Sequence, residues 1–233
     1  MMALIRRGML QGRYHIASVL GPVFQVVFFA FIISLSVEII PGGHIAPIDF
    51  IMPGLVLLAG MQVSYEGKAY GIMELKMNGS ITDYFTSPLR PSEIYTSWML
   101  SEVPEGLTIC FLCWLVLLPL GIGVPIDAVT AIIALLVGIL ISASFGIVMT
   151  LTSRHWDGVS SGETFVMIPI IFLSGTFFGI DQIPGDYQWL LQYNPLYHVI
   201  ATFREAMLYG TASISALLPA LGLLVLLVGT GIY

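Results

Sequence analysis

Few side chains in this sequence could carry out chemistry, and each has a plainer role open to it. Cys110 and Cys113 have the C-x-x-C spacing of redox and metal sites. They lie in the uncharged run 106–120 with no His and no second Cys pair nearby, which makes them small apolar side chains on one helix face. His155-Trp156-Asp157 sets an imidazole beside a carboxylate, but a polar turn carrying an interfacial Trp accounts for it more simply. His44 and His198 are isolated. Glu102 and Glu105 flank Pro104 near the start of an apolar stretch. An ionised side chain at the bilayer centre costs about 2.5–3.5 kcal/mol and often marks function. The uncharged residues after Glu105 can span by themselves, so the two acids read as structural or interfacial groups or as the entrance to a cavity. Arg204-Glu205 reads as a local ion pair closing the outer end or as a substrate contact. No grouping of His, Asp or Ser supports a catalytic centre or a metal site. Nor is there a phosphate cradle of the form G-x-x-x-x-G-K-[ST]: the two lysines, Lys68 and Lys76, lie outside any such setting.

The elements that would position these residues are set by composition. Of 233 residues, 57% are hydrophobic and 9% charged, against about 45–50% and 25% in soluble domains. Eight Lys and Arg are too few for a nucleic-acid surface. An apolar helix of about 20 residues crosses a bilayer core. Six long apolar stretches qualify, near 16–37, 48–70, 94–120, 128–153, 164–180 and 214–233. The far end of the second, with Glu66 and Lys68, is the least well bounded. Segment 1–13, with Leu4, Ile5, Met9 and Leu10 on one side and Arg6, Arg7 and Arg13 among the rest, suits a helix lying in the membrane interface. Every basic residue except Arg204 falls before the first stretch, at the far end of the second, or in connections on that same side. By the positive-inside rule that face is cytoplasmic, with both termini inside.

Within the fourth stretch Thr130, Ala134, Gly138, Ser142, Gly146 and Thr150 recur every fourth residue, a small-residue stripe that lets another helix approach closely. The cytoplasmic connection 71–92 contains the turn signal Asn78-Gly79, the N-cap Ser80, Asp83 in a first helical turn and the terminator Ser87-Pro88. It predicts a helix of about two turns. The outer connection 181–210 is rich in aromatic residues, and Asn194-Pro195 can cap and begin a helix there. Such a segment sits at headgroup level and can dip into the membrane and return.

Three stretches carry a resemblance: D-F-I-M-P-G at 49–54, G-S-I-T-D-Y-F-T-S-P-L-R-P at 79–91, and, over 173–210, L-S-G-T-F-F-G-I-D-Q-I-P followed by Y-N-P-L-Y-H and F-R-E-A-M-L-Y-G. With these the sequence resembles the type-two permeases of ABC exporters, the group that includes nodulation-factor and surface-polysaccharide export permeases. It departs from them in a short outer connection after the first span. The resemblance implies an all-α permease of about six transmembrane helices in the bacterial cytoplasmic membrane. It also implies a second copy or a close relative beside it, and two cytoplasmic ABC ATPase subunits. ATP and Mg would bind in those partners, with no cofactor in this chain. A short coupling helix in 71–92 would dock on the ATPase through Ile81, Tyr84 and Phe85, with Asp83 stabilising its N-terminus. Glu102, Glu105, Arg204 and Glu205 become candidates for the pathway or a gate, and Ala134, Gly138, Ser142 and Gly146 for helix packing. The pathway would suit an amphipathic or lipid-like substrate: a glycan, a lipid or a drug. Two other readings stand beside the exporter, an ion-coupled secondary transporter and a membrane-embedded enzyme. Charge-free first and fourth spans and the lack of an internal repeat weigh against the first. The lack of a catalytic cluster weighs against the second.

Overall fold

A computed structural model describes residues 16–37, 47–120, 123–177, 180 and 183–232. The interfacial segment 1–13 and the outer connection after the first span lie outside them. Among the described residues the chain is helical, with no strand. Three helices are long and apolar enough to cross a membrane by length and composition: Pro91–Leu117, Ala128–Thr152 and Ile214–Ile232. The protein is an all-α integral membrane protein.

Helix α1 is Ile16–Val37 and α2 is Pro47–Met77. At 31 residues α2 is about 46 Å long, and it is the hub of the bundle, touching α1, α5, α6 and α10 (defined below). Its middle is buried on every side: Leu55, Val56, Leu57, Leu58, Ala59 and Met61 all belong to the core. A helix apolar all round is the pattern of a central element.

The connection 71–92 folds into α3, Ile81–Phe85, a little over one turn rather than two. Gly79 takes φ +73, the turn that Asn78-Gly79 announces. Ser80 stands at the N-cap position without a capping hydrogen bond. Helix α4, Pro91–Ser101, opens with Pro91 and a reciprocal bond between Arg90 N–H and Glu93 at 2.9 Å. Next comes α5, Val103–Leu117. The expected third span is thus two helices, because Pro104 has no N–H to give to the carbonyl of Leu100.

Helix α6, Ala128–Thr152, is capped by Asp127, whose carboxylate accepts from Thr130 N–H at 3.1 Å and is thereby held below the usual carboxylate range. Its small-residue stripe is buried and faces α2. A Cβ on Gly146 would stand 2.7 Å from the carbonyl oxygen of Tyr65, and one on Gly138 would meet Leu57 and Met61. Thr150 Oγ1 donates to Ala69 O at 2.8 Å. The stripe therefore packs against a helix of the same chain.

The expected fifth stretch at 164–180 is shifted. Helix starts at Trp156 as α7, Trp156–Gly162, passes through a π-helical turn, Glu163–Met167, and ends as α8, Ile168–Phe172. Extended His155 and first-turn Asp157 set the earlier start, and a turn through Gly175 at φ +73 sets the earlier end. Outside this lie α9, Trp189–Gln192, and α10, Pro195–Leu208. Asn194 caps α10 by accepting from Leu196 N–H at 3.0 Å, with Pro195 at the first helical position. Helix α11, Leu218–Ile232, closes the bundle against α6, α4 and α10.

Candidate functional site

Polar groups inside an apolar bundle are where function is to be sought, and they gather along α2. Gln62, Glu66 and Tyr70 follow one another at four-residue intervals on one helix face. Gln62 Nε2 donates to Glu66 Oε1 at 2.9 Å, and Tyr70 O–H donates to Glu163 Oε2 at 2.9 Å. Tyr65 O–H reaches across to Val159 O, also at 2.9 Å. Glu163 begins the π-helical turn, a feature that recurs at functional sites. Beside these groups lies a pocket of about 100 Å³ between α1, α2 and α7–α8, lined by Gln25, Phe29, Gln62, Tyr65, Glu163 and Phe172 among others. Its aromatic walls suit apolar matter, and its carboxylate and amides can take hydrogen bonds or a positive group. The sequence reading missed it. Glu66 served there only to mark an uncertain boundary, and Glu163 lies just outside the expected span. The Gln62–Glu66–Tyr70 spacing was the available signal.

Two residues beyond Glu66 and so on the other side of α2, Lys68 Nζ pairs with Glu102 Oε1 at 2.8 Å, with the two side chains 8% and 5% exposed. Glu102 is thus a helix-to-helix contact and not an interfacial acid, because α2 brings it a counter-charge that the local sequence does not show. Glu105, one turn on, is half-buried.

The short helix α3 divides the residues expected to face a partner. Tyr84 is 4% exposed and stacks at a tilt on Trp98, ring centroids 5.4 Å apart, in a cluster with Ile72, Ile94, Tyr95 and Ile147. Phe85 is 63% exposed, Asp83 is exposed and Ile81 half-buried. Tyr84 therefore anchors the helix to the bundle and leaves Phe85 and Asp83 on the free face. Neighbours on a helix point about 100° apart, so Tyr84 can face the bundle while Phe85 faces away, a division that composition alone could not assign.

Arg204 does not pair with Glu205. Its Nε donates to Phe50 O at 2.8 Å, one terminal nitrogen donates to Gly175 O at 2.7 Å and to Thr176 O at 3.3 Å, and the guanidinium lies 3.6 Å over the Phe50 ring. Glu205 on the next residue points outward and is exposed. Arg204 is a tie between α2, the turn after α8 and α10. Cys110 and Cys113 are buried free thiols, Cys110 lying against Gly60 with its S–H toward Val56 O at 3.5 Å. Among the described residues no group of His, Cys, Asp and Glu could hold a metal ion. Trp156, expected in a polar turn, instead opens α7 and stacks on Tyr70 with ring centroids 6.0 Å apart.

In sequence, the family model for ABC-2 type transporter matches the chain over residues 1–208. The chain belongs to the ABC-2 type transporter family. Among similar proteins, the inner membrane transport permease YadH of Escherichia coli is 25% identical over 163 residues, 69% of this chain and 62% of that protein. The chain thus spans less than two thirds of the YadH length. Nodulation protein J of Rhizobium leguminosarum bv. trifolii is 27% identical over 204 residues, 83% of this chain and 75% of its own. ABC transporter G family member 20 of Dictyostelium discoideum is 26% identical over 165 residues, 70% of this chain and 22% of that protein.

Proposed function

We infer that this chain is the permease subunit of an ATP-driven exporter and supplies half of a transmembrane pathway. The observation that carries this is the family match over 1–208, joined to a helical bundle with an exposed cytoplasmic helix. The permease would be non-catalytic, with ATP and Mg bound by two cytoplasmic ATPase subunits that dock at α3. It would work beside a second copy or a close relative, in a bacterial cytoplasmic membrane with both termini inside. Exposed Phe24, Phe28 and Phe31 on α1 and Phe165 and Phe172 near the π-turn offer the apolar faces for such a neighbour. The polar pocket between α1, α2 and α8 opens beside these faces, and would line the pathway for an amphipathic, lipid-like substrate such as a glycan, lipid or drug.

The half-buried acids Glu66 and Glu163 favour a second reading, ion-coupled transport. Reconstitution decides between the two. The chain with its ATPase in proteoliposomes is expected to export an amphipathic probe only with ATP and Mg, and to do so when the proton gradient is collapsed. Transport that needs the gradient and ignores ATP would replace the exporter reading with the ion-coupled one.

A further inference from the structure

The pair formed by Lys68 and Glu102 does something unusual for a fastening. Glu102 Oε1 is held by Lys68 at 2.8 Å, yet its second oxygen, Oε2, is buried with no hydrogen-bond partner. Buried polar atoms are nearly always satisfied, and an exception asks for a reason other than stability. The approach is also built for. Oε2 occupies space over Gly67, where a Cβ would stand 2.5 Å from it, and a Cβ on Gly106 would be 2.6 Å from Ser64 Oγ. Glycines on both helices let α2 and α5 close on the pair and exclude water.

Its place in the chain matters as much. Glu102 is the residue at which α4 stops and α5 begins, and Pro104 keeps the two apart. Between Lys68 and Glu102 runs the whole cytoplasmic arm: the end of α2, the Gly79 turn, α3 and α4. Within the arm Tyr84 packs at a tilt on Trp98, and Lys76 Nζ fastens the arm to the end of α6, donating to Thr150 O at 2.8 Å and Ser153 O at 2.6 Å. The ion pair closes the arm at its base, where it gives way to α5.

We propose that the Lys68–Glu102 pair is the clasp through which movement of the cytoplasmic arm is passed to α5 across the break at Pro104. This rests on the exporter reading, in which the arm is pushed by an ATPase. Lys68 and Glu102 are then positioning residues. With the clasp gone, a displacement of the arm stops at the break and is no longer handed to α5.

A buried ion pair can be replaced by apolar side chains of similar length without loss of stability, whereas removing one partner leaves an uncompensated charge. The informative variant is therefore the double one, Lys68→Met with Glu102→Met, reconstituted with the ATPase subunits. Expected is a protein that inserts, melts like the wild type and supports ATP hydrolysis, while moving about tenfold less probe per ATP, within the usual range of coupling effects. The reversed pair, Lys68→Glu with Glu102→Lys, is expected to recover part of that loss. Double-Met transport within twofold of wild type overturns the proposal. So does failure of the double variant to accumulate in the membrane, since the pair would then be a folding element. A wild-type chain that no ATPase energises removes the exporter reading itself, a result distinct from either.

Discussion

At the scale of single residues, the bundle depends on side chains whose neighbours come from far along the chain. Arg204 is the clearest case. It satisfies three carbonyls and a ring face at once, which a planar fork can do and an ammonium cannot. Arg204→Lys is expected to cost about 2 kcal/mol, in line with hydrogen bonds made by a charged group, visible as a lower melting midpoint in detergent. Glu205→Gln, on an exposed side chain, should melt within about 0.5 kcal/mol of the wild type. Equal midpoints for Arg204→Lys and wild type would deny Arg204 its tying role. The glycines give a second test. Gly146→Val pushes into the Tyr65 carbonyl and the Ala69 backbone, neither of which can yield, so overpacking should cost about 1–3 kcal/mol. Gly222→Ala, with nothing within 4 Å, is the control that should leave the midpoint in place.

At the scale of elements, α3 is where the structure changes the reading most. Tyr84→Ala empties a buried site against Trp98 and should cost about 3 kcal/mol of stability. Phe85→Ala should leave the melt within about 0.5 kcal/mol and reduce capture of the ATPase by affinity pull-down. If Phe85→Ala binds the ATPase as the wild type does, the exposed face of α3 is not the docking face. Elements with local causes were legible beforehand. The Asn78-Gly79 turn, the Asn194-Pro195 helix start and the stripe from Thr130 to Thr150 each follow from neighbouring residues, and the structure has all three. What could not be read were features made by contact between distant segments: the inward turn of Tyr84, the partner of Glu102, the carbonyls around Arg204. The pocket at Glu163 belongs with them, since its two acids lie on α2 and the π-turn, far apart in sequence. The early start of α7 was a boundary error of another kind, because polar Asp157, Ser160 and Ser161 hid a helix that hydropathy alone does not detect.

For the whole molecule, the orientation rests on where the basic residues fall, and it can be measured. With Cys110 and Cys113 replaced by Ala, a single cysteine at Gly185 should react with an impermeant maleimide from outside intact cells. One at Asn78 should react only after the membrane is opened, and labelling of Asn78 from outside would invert the topology. The same bundle has a consequence for how it is made. Tyr95, on α4, is buried with its hydroxyl between Ser144 O of α6 at 3.4 Å and Leu227 O of α11 at 3.2 Å, and its ring lies against Gly231. A ribosome delivers α4 and α6 to the membrane long before α11. Until the last helix arrives, the hydroxyl has only Ser144 O to bind, and the slot that Gly231 will fill stands open to lipid. The nascent chain therefore holds an unfinished seam until α11 enters the membrane. Gly231→Leu should fill that slot wrongly and leave a protein that is synthesised and inserted yet cleared by membrane proteases, seen as a shortened lifetime in pulse-chase labelling. A lifetime equal to the wild type would mean that the seam is closed by other contacts.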